Sequence, residues 1–575
     1  MIKRKELQEL ADIVGEDYFS AEDYMRNLYS SDIAALPGLV NDLLRTKADA
    51  IAQPTTTEIV SNLLKYCSAK GIPVVPRGHG TSGYGGALPT RSGLIVEMTR
   101  MNEVYSIDKE NMTVEVGAGI IWGKLLEALE DEGLSLAAYP SSAPSSTVGG
   151  WVAAGGTGIG STKYGGIKNQ VVDLEVVLPD GTILRTKTDG QKISVDEKEP
   201  EYKFYPGSDA YHWAPIDEMK FDDDISDLFV DSNGSMGIIT KVVLKLIPLQ
   251  NIRPMVASFR SRRLMFQALL DILEATRPFY LHFITKSFYH MLKDVDKAPP
   301  TAGEWVILGT YEGTDDEVAA ELEKFRHFVE RNNGVIASDE IANHEWDERF
   351  YPLRIKRLGP SVAPSEVYVP LANFDQFLED IEEHFRGELL AVEGAVTING
   401  EVAALAWFLD DERRTIPFLM GWYRSLDFIN IGIKNGGRAY SIGMWNVPHS
   451  RSYYGKEKLG QMSDLKKRVD PKNSINPNKV FSGPLNLSLR FNLLIMFVAS
   501  IAVPVVLVLA GWLFPSIIGA YVPWIVPTDA LGFILAFWLG MILGYVLVMI
   551  INLVPVGFLL TIGGPFMRLF RRIWH

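Results

Sequence analysis

The stretch Pro76 to Gly86 reads PRGHGTSGYGG and contains Gly78-x-Gly80-x-x-Gly83, a spacing that can bring main chain against a dinucleotide pyrophosphate. Glycine permits positive φ and close approach of a ligand, and successive free N–H groups form a concave nest for phosphate oxygens. A Rossmann site requires a strand before such glycines and a helix directly after them. The strand is present as IPVVP. It follows a helix-like run, TTTEIVSNLLKYCSAKG, in which Thr55 and Glu58 make a capping box. The helix is missing, because Gly83-Tyr-Gly-Gly-Ala-Leu-Pro89 combines poor helix formers with a residue that lacks a donor. The Rossmann reading fails on this context. Alone, the loop also fits a tight surface turn.

A second glycine-rich segment, TVGGWVAAGGTGIGSTKYGG, runs from Thr147 to Gly166. Val148, Trp151, Val152 and Ile159 are interleaved in it, which favours a packed wall over a flexible linker. Strand-like GLIVEM and TVEVGAG separate the two segments, so together they suggest a pyrophosphate held between two backbone walls.

The order strand, RGHGTSGYGG, strand, TVEVGAG, helix, YPSSAPSSTVGGWVAAGGTG, KYGG, DLEVVLPDGTIL and LFVDSNGSMGIITKVVLKLIP resembles the vanillyl-alcohol-oxidase (PCMH-type) FAD family. Within that family it most resembles the D-lactate dehydrogenases and the FAD subunit of glycolate oxidase. The resemblance extends to VDPKNSINPNKVF, near Phe481. It implies an α+β fold: a PCMH-type FAD-binding domain over 1–250, a substrate cap over 251–435 and a return to the FAD domain over 436–485. It also implies Arg77, Gly78, His79, Gly80, Thr81 and Ser82 at the pyrophosphate. Pro140, Ser142, Thr147, Gly149, Gly150, Gly155 and Gly156 line the opposite wall, and Ile238 and Ile239 pack the nucleotide. Relatives that attach FAD covalently carry their histidine nearer Thr81, so non-covalent FAD is expected.

On the substrate side the family pattern breaks. Relatives acting on 2-hydroxy acids carry Glu-His-Gly shortly after a paired glycine, the histidine serving as base or metal ligand. Here Gly436-Gly437 is followed by RAYSIGMWNVPHSR, with Ile442-Gly443-Met444 in that place, so no metal is expected. Asn233 likewise stands where relatives carry an acid. The remaining candidates for chemistry are Tyr440 and His449, either able to assist proton removal, and Arg354, which matches an arginine that meets a carboxylate in relatives. The bland readings are a packing tyrosine and a loop histidine.

The net charge of -14 argues against a nucleic-acid partner, and Cys67, the single cysteine, excludes internal disulfides and Cys-ligated clusters within this chain. The N-terminal residues lack the apolar run of a secretory signal. Lys187 to Asp224, polar and without periodicity, reads as a surface insertion. From Phe491 to Met567 the one charged residue is Asp529. Runs at about 491–514 and 531–553 are each long enough to span a bilayer, so 486–575 is expected to be a transmembrane helical hairpin. Lys479 and Arg490 precede it and Arg568, Arg571 and Arg572 follow it, which puts the flavin domain on the cytoplasmic side. These features predict a membrane-anchored FAD dehydrogenase. It would oxidise a small hydroxylated substrate, 2-hydroxy acid-like, and pass electrons to a quinone or an electron-transfer protein. Two alternatives stay open: a flavin oxidoreductase for a lipid-linked, polyprenyl or phenolic substrate, and a non-catalytic flavin-binding subunit of a membrane complex.

Overall fold

The computed structural model describes residues 2–33, 47–186, 225–292, 304–351, 355, 361–388, 390–411 and 413–481, with scattered positions between 501 and 543. Met1–Pro37 and Thr46–Phe481 make one compact unit. In a second unit, Gly38–Arg45 and Ser482–His575, the described residues are a few helical positions between 501 and 543.

The first sheet contains β1 (Phe19–Ser20), β2 (Ala50–Ala52), β3 (Val74–Arg77) and β4 (Leu94–Glu97) in the order β1-β2-β4-β3. β4 runs parallel to both β2 and β3. The predicted helix forms over Thr57–Lys70 and buries Val60, Leu63, Leu64 and Cys67, a helical spacing that puts one apolar stripe on the core. Its cap is Thr56, one residue after the expected Thr55, with the hydroxyl accepting from the Ile59 amide at 3.3 Å.

The second sheet is antiparallel, with β5 (Val104–Asp108), β6 (Thr113–Gly117), β8 (Val171–Val177), β9 (Ile183–Arg185) and β10 (Ile238–Pro248) in the order β5-β6-β10-β8-β9, and β7 (Leu134–Leu136) also pairing with β10. Pro179-Asp-Gly181 closes the β8–β9 turn, where the Gly181 amide donates to the Leu178 carbonyl at 2.8 Å. The core beneath this sheet holds Trp122 edge-on to Trp151, with ring centroids 5.1 Å apart.

The third sheet has eight strands: β11 (Asn251–Phe259), β12 (Tyr280–Thr285), β13 (Trp305–Gly313), β14 (Val335–Ile336), β15 (Ser361–Pro370), β16 (Ala391–Val396), β17 (Glu401–Asp410) and β18 (Arg438–Ala439). Their order is β14-β11-β13-β12-β16-β17-β15-β18. Helices form at Asp315–Arg331, opened by a Thr314/Glu317 capping box, and at Phe374–His384. Phe283 of β12 meets Phe374 at 5.1 Å, which marks the helix-covered face. Strand alternation therefore sends Tyr280, His282 and Ile284 to the opposite face.

After β18 the chain returns to the first sheet. The Val74 amide donates to Ser474 O at 2.8 Å, and Asn476 N donates to Val74 O at 2.7 Å. Lys466 and Asp470 lie buried just before this junction. The Lys466 ammonium donates to Asp470 Oδ2 at 2.6 Å, to Ser235 O at 2.6 Å and to Ile475 O at 2.8 Å. Burial opposes ionisation of Asp470, but Lys466 and the Ser474 and Ile475 amides outweigh it and hold the carboxyl below its ordinary range.

The membrane assignment requires correction. Among the described residues no helix is long and apolar enough to cross a membrane, which overturns the two-span reading and the location in a cell membrane drawn from it. An apolar run meets the composition of a span, but a span is about 20 residues of continuous helix. The runs at 491–514 and 531–553 lie mostly outside the described residues, as does the expected insertion over 187–224.

Lys466→Met should leave Asp470 buried without its cation and lower the unfolding free energy by about 3–5 kcal/mol. Urea unfolding reads this directly. A loss below about 1 kcal/mol would put the pair in the class of solvated bridges. Because the Asp470 carboxyl is depressed, its stabilisation is present above about pH 4 and is lost as pH falls through the folded-state value.

Candidate active site

β3 delivers Arg77 to the start of the glycine loop, and the helix Val148–Ala154 starts the second wall. Thr147 caps that helix, its hydroxyl accepting from the Gly150 amide at 3.3 Å. The two walls come very close. A Cβ on Gly78 would lie 2.1 Å from Thr147 Oγ1, so only glycine fits there. His79 Nδ1 reaches Ser145 O at 2.7 Å and ties the walls again.

Between the walls and the third sheet lies a cavity of about 710 Å³. Of the residues expected at the cofactor, Arg77, Gly78, His79, Gly80, Thr81 and Ser82 line it on one side. Pro140, Ser142, Thr147, Gly149, Gly150 and Gly156 line the other, and Ile238 and Ile239 lie along it. Gly155 stands behind the wall, where its Cβ would meet Asp231 at 2.5 Å. Arg77 Nε and Asn233 Nδ2 are buried donors without a hydrogen-bond partner among the described residues, and both residues line the cavity. A trough walled by backbone with spare donors suits an anionic, elongated ligand such as FAD.

The opposite side of the cavity is the face of the eight-stranded sheet that carries Tyr280, His282 and Ile284. Ile284 pairs with Glu393, Glu393 with Leu405, and Leu405 with Glu366. One row of side chains thus crosses β12, β16, β17 and β15, and all four line the cavity. Glu393 is held at both oxygens: Trp407 Nε1 donates to Oε1 at 2.8 Å, and His282 Nε2 lies 3.4 Å from Oε2. Glu366 accepts from the Tyr84 hydroxyl at 3.0 Å, and Tyr84 belongs to the first glycine loop. Glu366 is open only in part, yet lies deep enough that burial pushes its carboxyl up to about 7. The Tyr84 hydrogen bond opposes that shift and Glu393 adds to it.

The three expected catalytic residues fare differently. Tyr440 lines the cavity and stacks on Tyr368 at 5.2 Å, but its hydroxyl is engaged with Thr157, accepting from the amide and donating to the carbonyl at 2.9 Å each. Burial raises its pKa well above the ordinary value. His449 is not among the cavity-lining residues, and burial pushes its imidazole down to about 4, leaving it neutral. Arg354 lies outside the described residues. Ile442, Gly443 and Met444 are buried against the glycine loop, with the Met444 amide donating to Tyr84 O at 2.8 Å. No cluster of three or more possible metal-ligating side chains occurs among the described residues.

Sequence reasoning missed Glu366, Glu393, His282 and Arg349. Arg349 lines the cavity five residues before Arg354, in the same EWDERFYPLRIKRLG segment. Its guanidinium lies 4.3 Å over the Trp346 ring and 4.2 Å over Phe350. The carboxylates carried no motif; only strand register brings them together.

Residues 48–187 match the model of the FAD binding domain, and 249–480 match that of the FAD linked oxidases, C-terminal domain. The chain thus carries both domains of the FAD linked oxidases on a PCMH-type FAD-binding fold. This flavoprotein is 27% identical over 501 residues to glycolate oxidase subunit GlcD of Bacillus subtilis (strain 168), covering 84% of this chain and 98% of that protein. It is 25% identical over 460 residues to D-lactate dehydrogenase [cytochrome] 1, mitochondrial, of Saccharomyces cerevisiae, covering 74% of this chain and 71% of that one. Its fold is shared with p-cresol methylhydroxylase with substrate bound, at TM-score 0.67 and 17% identity over 82% of this chain and 96% of that one. FAD is the cofactor of this flavoprotein, and the enzyme is an FAD-linked oxidoreductase.

Gly80→Asp should yield protein without flavin. Gly80 has φ +68°, and its Cβ would meet Arg77 Nη2 at 2.3 Å, so a carboxylate there strains the loop and confronts the cofactor phosphates. The 450 nm flavin band per protein, about the ordinary flavin maximum, is the readout; full retention would remove the loop from the site. Acid precipitation of the wild type should leave the yellow colour in the supernatant.

Proposed function

We propose that the protein is a dehydrogenase with non-covalent FAD that oxidises the carbinol carbon of a small hydroxylated substrate, with Glu366 receiving the hydroxyl proton. Bound FAD supplies the two-electron acceptor. The chain supplies position, water exclusion and the base.

One observation carries this reading: the Glu366 carboxyl lies on the cavity face of the cap sheet, hydrogen-bonded to Tyr84, where burial pushes its pKa up to about 7. A base poised near the operating pH accepts a proton with the best balance of ionised fraction and driving force. Tyr84 donates to Glu366 Oε2, which fixes the carboxylate and stabilises its ionised form. Tyr440 and Tyr368, hydrogen-bonded to Thr157 and stacked on each other, act here as positioning residues that hold the cap sheet on the second glycine wall. The usual histidine is absent and His449 does not line the cavity, so Glu366 takes over the role of base.

A 2-hydroxy acid would set its carboxylate against Arg349. The glycolate and D-lactate named for the two relatives support that substrate class. The quinone acceptor rested on the anchor and loses that support. The yeast relative is named for a cytochrome, and a small redox protein is the electron acceptor here.

Anaerobic stopped-flow reduction of the flavin tests the base. The rate should rise with pH through about 7 and level above it, because the ionised carboxylate is the active form. Glu366→Gln should abolish that rise and slow reduction by about 10²–10⁴-fold. A profile unchanged in the variant would remove Glu366 from the mechanism. Arg349→Met should lower kcat/KM for a 2-hydroxy acid by roughly ten- to a hundred-fold and leave a neutral hydroxylated substrate much less affected. Reduction by phenols alone would replace the hydroxy-acid reading with the phenolic one.

A further inference from the structure

The two regions of the cap face differ in chemistry. Near Tyr84 it offers Glu366. Farther across β17, β12 and β13 it becomes apolar, with Leu405 and Trp407 on β17, Ile284 on β12 and Leu308 on β13. Leu308 pairs with His282, and Ile284 ends the row that starts at Glu366. From Glu366 to Ile284 the row crosses three strand spacings of about 4.8 Å, or roughly 14 Å in all. The polar member of the row does not interrupt this surface for an apolar ligand, since both Glu393 oxygens are engaged by Trp407 and His282.

Glycolate and lactate have at most a methyl group beyond the reacting carbon. Placed at Glu366, neither reaches across three strands. Ile284, Leu308 and Trp407 are buried and pack with Phe288 and Tyr289 in one apolar cluster, with Leu405 against it; the part of that cluster that lines the cavity is covered better by an apolar ligand than by water.

We propose that the substrate carries an apolar arm of several carbons, alkyl or aromatic, and that Ile284, Leu308, Leu405 and Trp407 form the subsite that receives it. The direction of the arm rests on the reading of Glu366 as the reacting end. The existence of the subsite does not.

Calorimetric titration of the FAD-loaded protein tests it with straight-chain carboxylates and straight-chain alcohols of increasing length, neither headgroup being essential to the increment. Affinity should rise about fourfold for each methylene buried, then level when the subsite is full. Leu308→Ala and Leu405→Ala should each flatten that rise. If either variant fails to retain FAD, Leu308→Val and Leu405→Val replace them with smaller changes of volume. A flat or falling series in the wild type overturns the subsite, as does a series in which nothing binds. A parallel anaerobic series uses 2-hydroxy acids of the same lengths. Rising affinity without flavin reduction by any of them keeps the subsite and removes the proposed reaction. Reduction by lactate or glycolate with a flat binding series keeps the reaction and removes the subsite.

Discussion

Two stretches of nearly bare main chain must be held side by side along one cavity, and much of the described fold serves that placement. Glycine-rich walls lose more conformational entropy on folding than any other segment, so they keep a shape only when neighbours impose it. The second wall is imposed from behind by Val148, Trp151 and Val152, all buried. The first is imposed from the far end of the unit. Asn476 donates through its side-chain amide to Gly86 O at 2.9 Å and to Asn233 O at 2.6 Å, and Lys479 reaches Leu88 O. The closing segment is thus a clamp on the glycine loop, which is why the chain comes back after building the cap.

The cap contributes through register. β15 and β17 pair over ten residues and β11 and β13 over nine, so a slip would break long ladders. A slip of one residue would also move Glu366 and Glu393 from the cavity face to the helix-covered face, and Phe283 the other way. Phe283 against Phe374, and Phe377 against Phe428 at 5.4 Å, make that exchange costly. The aromatic packing on one face of the sheet therefore fixes which side chains face the cavity on the other.

These features explain what could be read in advance. The glycine walls were legible because bare backbone is a compositional signal, local in sequence and rare by chance. So were the helices Thr57–Lys70 and Asp315–Arg331, whose caps and apolar spacing lie within one window. Glu366 and Glu393 were not legible: they come from different strands, and nothing local marks which acid of the many will face inward. Arg349 and Arg354 share one segment, and sequence alone did not single out Arg349. His449 looked available because a histidine among polar loop residues usually is, whereas its burial comes from tertiary contacts. The C-terminal runs lie mostly outside the described residues, so composition alone is legible in them.

The same enclosure that orders the site also sets its charge states. Glu366 and Glu393 share one row with Leu405 between them, and the charge of Glu393 raises the pKa of Glu366. His282 faces one Glu393 oxygen at 3.4 Å and Trp407 donates to the other at 2.8 Å, which holds that carboxylate in place on the row. In a water-filled groove such coupling would be screened to little. In a cavity closed by a sheet, two glycine walls and a bound cofactor, it is felt across the row. Displacing water from this cavity raises the cost of ionising Glu366 and strengthens the Tyr84 hydrogen bond that offsets it, so the acid is tuned by the closing of the site around its ligand.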